Sequence, residues 1–279
     1  MIPRVSDIGF IRRKLESGDI YFLANTGNQA RDVEAAFRVK NLSVERWDPF
    51  TGTKLATPWK EAPDGRIIVP LHLEPYESKV LKFTNSPDTP ASSRSRPRQP
   101  QACVDMGRDW KVGFPGTGKS VRMDRLGSWT DLDGVRFYSG QAVYQKTLAL
   151  TDSMLKQGER IYLNFGEGVP IEPHHRQNGT QAWIESPVRE AAVVYINGYR
   201  AGSVWCPPYE LEITTFLHSG TNDFRIVVRN LAINEMAGKS LPDYRLLYDR
   251  CGKRFDAQDM NDLQPLPSGL LGPISLVTR

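Results

Sequence analysis

The chain has 279 residues, a formal net charge of +4 and 39% hydrophobic residues, which exclude several classes of protein. The hydrophobic content can fill folded cores, so the chain is not predicted to be disordered. No stretch approaches the ~18 apolar residues of a membrane span. Part of the mild positive charge lies in one segment, at Arg94, Arg96 and Arg98. We therefore expect a globular protein of one to two domains, with neither nucleic acid nor membrane as its partner.

The first region consists of short predicted strands separated by turn residues. Residues 19–24 are rich in β-branched and aromatic side chains, and residues 33–39 alternate apolar and polar positions, which is typical of a half-buried strand. Further strands are predicted at residues 44–47, 66–73 and 78–83. Residues 1–85 are therefore predicted to form a small antiparallel β-sandwich.

A flexible linker is predicted at residues 86–102. Proline, serine, arginine and glutamine dominate this segment. Such a composition buries too little apolar surface to offset the entropy lost on ordering. The segment therefore marks the predicted boundary between two domains.

The second region, residues 103–279, is organised around residues 191–230. Asn197-Gly198 follows an apolar run and is a strong signal for a type I′ hairpin, because both turn positions need positive φ. Strands are predicted on either side of this turn and in the flanking sequence, at residues 110–112, 136–138, 142–148, 160–165, 191–196, 201–205, 210–213, 224–228 and 274–277. Residues 241–264 are charged and irregular, which indicates a surface loop. The pattern predicts a second, larger β-sandwich and an all-β fold class.

Residues 113–120, GFPGTGKS, fit the phosphate-binding pattern G-x-x-x-x-G-K-[ST]. In that role Lys119 would contact phosphate and Ser120 would hold Mg²⁺. The role also needs a buried parallel strand before the loop and a helix after it. The flanking sequence is polar and interrupted by glycines, which favours a glycine-rich turn between strands. Nucleotide binding at residues 113–120 is kept only as a remote alternative.

No catalytic or metal-binding set is predicted from the residues. The carboxylates show no context that singles out the acid–base pair of a glycosidase. His174 and His175 could bind a metal together with Glu172, but adjacent residues of an extended strand point to opposite faces. We therefore expect no catalytic residue, no metal site and no cofactor, with calcium the one ion left open.

Aromatic residues are the candidates for carbohydrate binding. The rings of Trp129, Trp183 and Tyr199 could stack against sugar C–H surfaces, and Arg176 and Asn178 could hydrogen-bond to sugar hydroxyls. Sandwich cores also use large aromatic side chains, so a structural role is the alternative for each ring.

Several motifs resemble parts of glycoside hydrolases. Residues 134–147, GVRFYSGQAVYQKT, resemble the sugar-binding jelly-roll domain of family 2-type glycosidases. Residues 266–273, LPSGLLGP, resemble the end of α-L-rhamnosidases of glycoside hydrolase family 106. Residues 47–52, WDPFTG, and 73–78, LEPYES, are similar to the domain that follows the catalytic barrel in such enzymes.

The resemblance implies a galactose-binding-like jelly roll at residues 103–279. Catalytic carboxylates of these enzymes lie on an upstream barrel, so this chain is expected to be a non-catalytic accessory portion that binds carbohydrate or supports the barrel. The implied partners are a plant-type oligosaccharide or polysaccharide and a separate catalytic barrel. The alternative is a glycosidase active only with a separate catalytic chain, in which Glu167 or Glu172 faces the substrate. Periplasmic or secreted localisation is implied, although no signal peptide is visible after Met1.

Overall fold

The computed structural model describes residues 5–40, 42–49, 52–84, 101–155, 158–173, 182–240, 243–252 and 263–279. The chain divides into two compact units. The first unit comprises Met1–Arg98, Gly168–Glu185 and Cys206–Pro208, and the second comprises Gln99–Glu167, Ser186–Trp205 and Tyr209–Arg279. Apart from its last two residues, which belong to a strand, the predicted linker at 86–102 lies outside the described residues.

The first unit contains a five-stranded and a three-stranded antiparallel sheet. Its strands are β1 (Ile8–Leu15), β2 (Gly18–Asn25), β3 (Arg31–Phe37), β4 (Ser43–Trp47), β5 (Lys54–Ala56), β6 (Lys60–Glu61), β7 (Ile67–Leu73) and β8 (Ser78–Thr84). The larger sheet has the order β1-β2-β8-β4-β5, and the smaller has the order β3-β7-β6.

The two sheets of this unit enclose one hydrophobic core. Alternation on β3 buries Val33, Ala35 and Phe37 and leaves Glu34 exposed, as predicted. These side chains belong to the same buried cluster as Leu81 and others from the five-stranded sheet. Period-two burial on both sheets therefore produces the predicted sandwich.

A segment from the later part of the chain also belongs to the first unit. Strands β14 (Val169–Pro170) and β15 (Ile184–Glu185) pair with each other. Asn28 Nδ2 donates to the carbonyl oxygens of Ile171 and Trp183, both at 2.9 Å. The backbone N–H of Trp183 donates to Tyr76 Oη at 2.8 Å. Two turns of the first unit thus hold the base of this segment.

The second unit contains a six-stranded and a four-stranded sheet. Its strands are β9 (Gln101–Asp105), β10 (Arg108–Phe114), β11 (Lys119–Arg125), β12 (Gln141–Leu150), β13 (Ile161–Asn164), β16 (Val188–Arg189), β17 (Ala191–Ile196), β18 (Tyr199–Val204), β19 (Glu210–Glu212), β20 (Gly220–Arg229), β21 (Gly269–Leu270) and β22 (Ser275–Thr278). The sheet orders are β11-β10-β12-β20-β17-β18 and β19-β13-β22-β9, and β16 pairs with β21 in a separate two-stranded sheet.

Both sheets of the second unit contribute to one core. Trp110 and Tyr144 from the six-stranded sheet and Leu163 and Leu276 from the other are each at most 1% exposed. The β17–β18 hairpin turns at Asn197 (φ 52°) and Gly198 (φ 85°), as the type I′ signal predicts. All the strand pairings described are antiparallel, and the predicted all-β class is confirmed.

Two local predictions in the second unit are wrong. Residues 136–138 form turns rather than a strand, because Val135 N–H bonds to Leu132 O and Tyr138 N–H bonds to Val135 O. The short helix α2 (Arg245–Cys251) occupies part of residues 241–264, which were predicted as an irregular loop, and the short helix α1 (Ile233–Ala237) lies in a stretch with no predicted element. Within the described ranges no helix is long and apolar enough to cross a membrane.

Candidate functional site

Buried and half-buried polar side chains join three separate loops of the second unit. Asn230 Nδ2 donates to Tyr138 O at 2.9 Å and to Ser268 Oγ at 3.0 Å, and Gly140 N–H donates to Asn230 Oδ1 at 2.9 Å. Ser139 Oγ accepts from Glu235 N–H at 2.8 Å. The Tyr-Ser-Gly motif at 138–140 is thus fixed to the segment that follows β20.

Asn234 and Ser268 extend this network to a third loop. Asn234, only 1% exposed, donates to Leu266 O at 2.9 Å and to Ser268 Oγ at 3.0 Å, and accepts from Leu266 N–H at 3.1 Å. Ser268 N–H donates to Ser128 Oγ at 3.0 Å. Because Ser128 Oγ also caps the 3₁₀ turn Trp129–Asp131 through Thr130 N–H, the network positions that turn.

An open depression of about 610 Å³ lies between this turn and the start of the third loop. Its volume is in the range of small-molecule sites. All its lining residues belong to the second unit: Thr130, Asp131, Leu132, Asp133, Gly134, Arg136, Gln264 and Pro265.

The lining combines hydrogen-bond acceptors with donors. Asp131 and Asp133 present exposed carboxylates, and Arg136 presents an exposed guanidinium whose Cζ lies 5.6 Å from the centre of the Phe137 ring. Lys119 Nζ donates to the backbone oxygen of Asp133 at 3.0 Å, which fixes this side of the loop. Adjacent carboxylates and a planar cation can hydrogen-bond to neighbouring hydroxyls, so the arrangement suits a polyhydroxylated ligand.

The structure does not gather the aromatic residues selected from sequence into this depression. Trp129 is 0% exposed and packs edge-on against Phe114 and Tyr138, so its ring faces belong to the core; this corrects its assignment as a sugar-stacking residue. Tyr199 is 71% exposed at the start of β18 in the second unit. Trp183 is half-buried in the first unit.

Other candidates from the sequence lie outside the described residues. They are Arg176, Asn178, His174 and His175, and their predicted roles remain predictions. In the part of the chain that is described, no group of three or more His, Cys, Asp or Glu side chains could hold a metal ion.

The phosphate-loop alternative is wrong. Strands β10 and β11 pair antiparallel, with Phe114 opposite Lys119 and Gly113 opposite Ser120. The pattern residues therefore form a β-hairpin and its turn, with Gly118 at φ +69°. A phosphate loop needs a helix N-terminus after the glycines, and a strand stands there instead.

No role for the lining of the depression was predicted from the sequence. Residues 131–134, Asp-Leu-Asp-Gly, form a short polar stretch with no motif that identifies a ligand. Gln264 and Pro265 approach this loop only through the tertiary fold, and no local pattern indicates that contact.

Comparison with known proteins finds similarity to glycoside hydrolases, the class of enzyme that the sequence motifs resemble. A family profile described as alpha-L-rhamnosidase matches residues 2–60. The solved structure of a rhamnosidase from Novosphingobium sp. PP1Y is 26% identical with a TM-score of 0.76, and the match covers 98% of this chain and 24% of that one. A Formosa agariphila protein provisionally named beta-glucuronidase is 28% identical over 196 residues, 60% of this chain and 15% of that protein.

A third similarity is weaker. The beta-glucuronidase structure from Bifidobacterium dentium is 20% identical with a TM-score of 0.41, and the match covers 64% of this chain and 31% of that one. This chain spans about a quarter of the length of the Novosphingobium enzyme. The predicted resemblance to a region of the α-L-rhamnosidases is therefore confirmed, by sequence over residues 2–60 and by structure over nearly the whole chain.

Proposed function

We propose that this chain is a non-catalytic accessory portion of an α-L-rhamnosidase-like glycoside hydrolase and that it binds carbohydrate. The observation that carries the proposal is the match of 98% of this chain to only 24% of a rhamnosidase. Most of the larger enzyme therefore lies outside the matched region. A separate catalytic domain can lie in that remaining part.

The depression beside the Trp129–Asp131 turn is the proposed binding site. Its carboxylates accept hydrogen bonds from sugar hydroxyls, while Arg136 donates to ring or hydroxyl oxygens. The buried network holds the loops in place before a ligand arrives, which lowers the entropy lost on binding. A rhamnose-containing oligosaccharide is the ligand class that the resemblance favours.

Calorimetric titration of the purified chain with rhamnose, galactose and rhamnose-containing oligosaccharides tests this site. We expect Asp133→Asn to weaken binding about tenfold, which corresponds to about 1.4 kcal/mol. Asp152→Asn, an equal charge change at an exposed residue of another turn, should leave affinity within twofold. Equal losses in both variants, or no binding by the wild type, would contradict the proposal.

A supporting role for a catalytic domain is the second candidate, and exposed apolar residues on β1 and β2 favour it. Ile11 and Phe22 are 70% and 42% exposed and pair across the two strands, so their side chains share one face, while Phe10, 62% exposed, lies on the opposite face of β1. Strand β1 is the edge of its sheet. Such a patch on an edge strand is typical of an interaction surface.

Mixing this chain with the remaining portion of the Novosphingobium rhamnosidase, produced separately, tests the supporting role. We expect a complex by size-exclusion chromatography that Ile11→Asp abolishes. Leu246→Asp, at a residue 78% exposed in the second unit, is the matched control and should leave the complex intact. Failure of the wild type to form the complex would refute this role, and turnover of an aryl rhamnoside by this chain alone would refute its non-catalytic assignment.

A further inference from the structure

The outer face of the six-stranded sheet carries a row of side chains that the proposed function does not use. Strand register places Lys111 opposite Gln145, Gln145 opposite Arg225, Arg225 opposite Tyr195 and Tyr195 opposite Arg200. We call these five residues the basic row. It crosses five strands, a distance of about 19 Å at the usual spacing between neighbouring strands.

The side chains of the basic row face away from the core. Their chain neighbours Tyr144, Ile226, Val194 and Val112 are all 0% exposed, and alternation puts successive side chains on opposite faces. Each residue of the row is partly or fully exposed. A ligand from solution can therefore reach the whole row.

Arg225 is the centre of the row, and within the described part of the chain no carboxylate pairs with it. Its Cζ lies 3.8 Å from the centre of the Tyr195 ring. A guanidinium stacked on an aromatic face keeps its in-plane N–H groups free for bidentate hydrogen bonds to a carboxylate. Among the described contacts of Lys111, Arg200 and Arg225 there is no ion pair.

The neighbouring rows compensate this positive charge only in part. On one side stand uncharged residues, with Val143, Val227 and Val193 in register. On the other side Asp109 is paired with Arg122 at 2.9 Å, so Asp223, whose Oδ1 accepts from the neutral Thr147 Oγ1 at 2.9 Å, is the carboxylate of that row that faces the three cations. A depression of about 530 Å³ at the Lys111 end adds space for a ligand.

We propose that the basic row binds an acidic oligosaccharide. Uronate carboxylates of the ligand pair with Arg225, Lys111 and Arg200. Sugar C–H groups contact the neighbouring valines, Val143, Val193 and Val227. Single-stranded nucleic acid would need several open aromatic faces, and the face of Tyr195 is covered by Arg225. The site lies on residues separate from the depression at Asp131 and Asp133, so it goes beyond the proposed function and does not depend on it.

Affinity electrophoresis of the full chain in gels containing polygalacturonate tests the proposal, with methyl-esterified polygalacturonate as the uncharged equivalent. We expect retardation by the acid form only, and at least a fivefold loss of affinity in Arg225→Gln. Arg160→Gln removes the same charge at an exposed residue that pairs with Glu212 at 3.3 Å, and should change affinity less than twofold.

Three outcomes would overturn the proposal: no retardation of the wild type, equal retardation by the ester, or equal losses in the two variants. Dextran sulfate that binds as tightly, with the same loss in Arg225→Gln, would show a general polyanion surface and would also refute it. If Arg225→Gln fails to fold by circular dichroism, Lys111→Gln replaces it with the same expected loss. Neutral sugars are titrated separately, so failure at the basic row and failure at the depression remain distinguishable.

Discussion

The two units share an architecture but differ in how they use buried polar groups. In the first unit the core centres on three mutually contacting rings, Tyr21, Phe37 and Phe83, with centroids 4.8 to 5.5 Å apart. Its buried Asn25 hydrogen-bonds to backbone groups of two loops, to Glu74 O at 2.9 Å and to Gln29 O at 2.7 Å. Apolar packing thus joins the sheets, and these loops are joined by a side chain that bonds to backbone groups.

In the second unit, polar side chains also bond to one another. Half-buried Asn230 and buried Asn234 both donate to Ser268 Oγ at 3.0 Å, which joins loops distant in the sequence. The proposed sugar site lies beside this network, and the basic row lies on the sheet. Loops of the larger sandwich are thus joined by hydrogen bonds between side chains, whereas loops of the smaller one are joined by bonds from side chains to backbone groups.

Breaking the aromatic core of the first unit should give the largest effect. Phe83 is 0% exposed, so Phe83→Ala should lower the free energy of unfolding by about 4 kcal/mol through lost burial and the cavity left behind. Phe22→Ala on the adjacent strand, at a residue 42% exposed, is the matched control and should cost far less. Urea unfolding followed by circular dichroism measures both, and similar losses would contradict the assigned core.

Breaking the polar network of the second unit should rank next. Asn234→Ala removes three hydrogen bonds, those to the backbone N–H and oxygen of Leu266 and to Ser268 Oγ, although Leu266 O keeps its bond from Ser268 Oγ at 3.0 Å. At about 1 kcal/mol for each bond lost, we expect a loss of about 3 kcal/mol in unfolding free energy. Asn164→Ala, at a half-buried residue, should cost about 1 kcal/mol. A reversed order would show that the network is not a major source of stability.

The pH dependence of the unfolding free energy tests a partly buried carboxyl group of the second unit, that of Glu190. Burial raises the pKa of Glu190 from its ordinary value of 4.5, only partly offset by Arg189. A raised carboxyl pKa gives stability that is complete below pH 4.5 and is lost as pH rises through the folded-state value. The unfolding free energy of Glu190→Gln should therefore match that of the wild type near pH 4 and exceed it at pH 7. We expect this gain to be smaller than the losses in Phe83→Ala and Asn234→Ala. An unchanged difference across this range would contradict the burial effect.

The smallest effect is expected at His72 in the first unit. Burial lowers its pKa, but hydrogen bonds to Asp32 at 2.8 Å and Glu74 at 3.0 Å outweigh burial and raise the pKa above 6.5. The resulting stability is complete below pH 6.5 and is lost as pH rises through the raised value. His72→Gln should destabilise by under about 1 kcal/mol at pH 5.5 and by less at pH 8.5, because the pairs are exposed. Equal destabilisation at both pH values would refute the ion pairs.

Local sequence patterns predicted several of the strands and the turn of the β17–β18 hairpin. Alternation at 33–39 and the Asn197-Gly198 dipeptide predict β3 and the β17–β18 hairpin, because side-chain period and positive φ are properties of neighbouring residues. The motifs at 138–140 and 266–269 also indicated the resemblance to glycosidases. Their structural role, as members of one hydrogen-bond network, was not predicted.

Only the tertiary structure decided which polar residues meet. Trp129 was selected for its ring, yet the fold buries it, and the turn that it begins carries the carboxylates of the proposed site. The basic row combines side chains from five strands, and Lys111 and Arg200 are far apart in sequence. A sequence specifies which face each side chain takes along its own strand, whereas strand order and register, set by packing of the two sheets, decide its neighbours across the sheet.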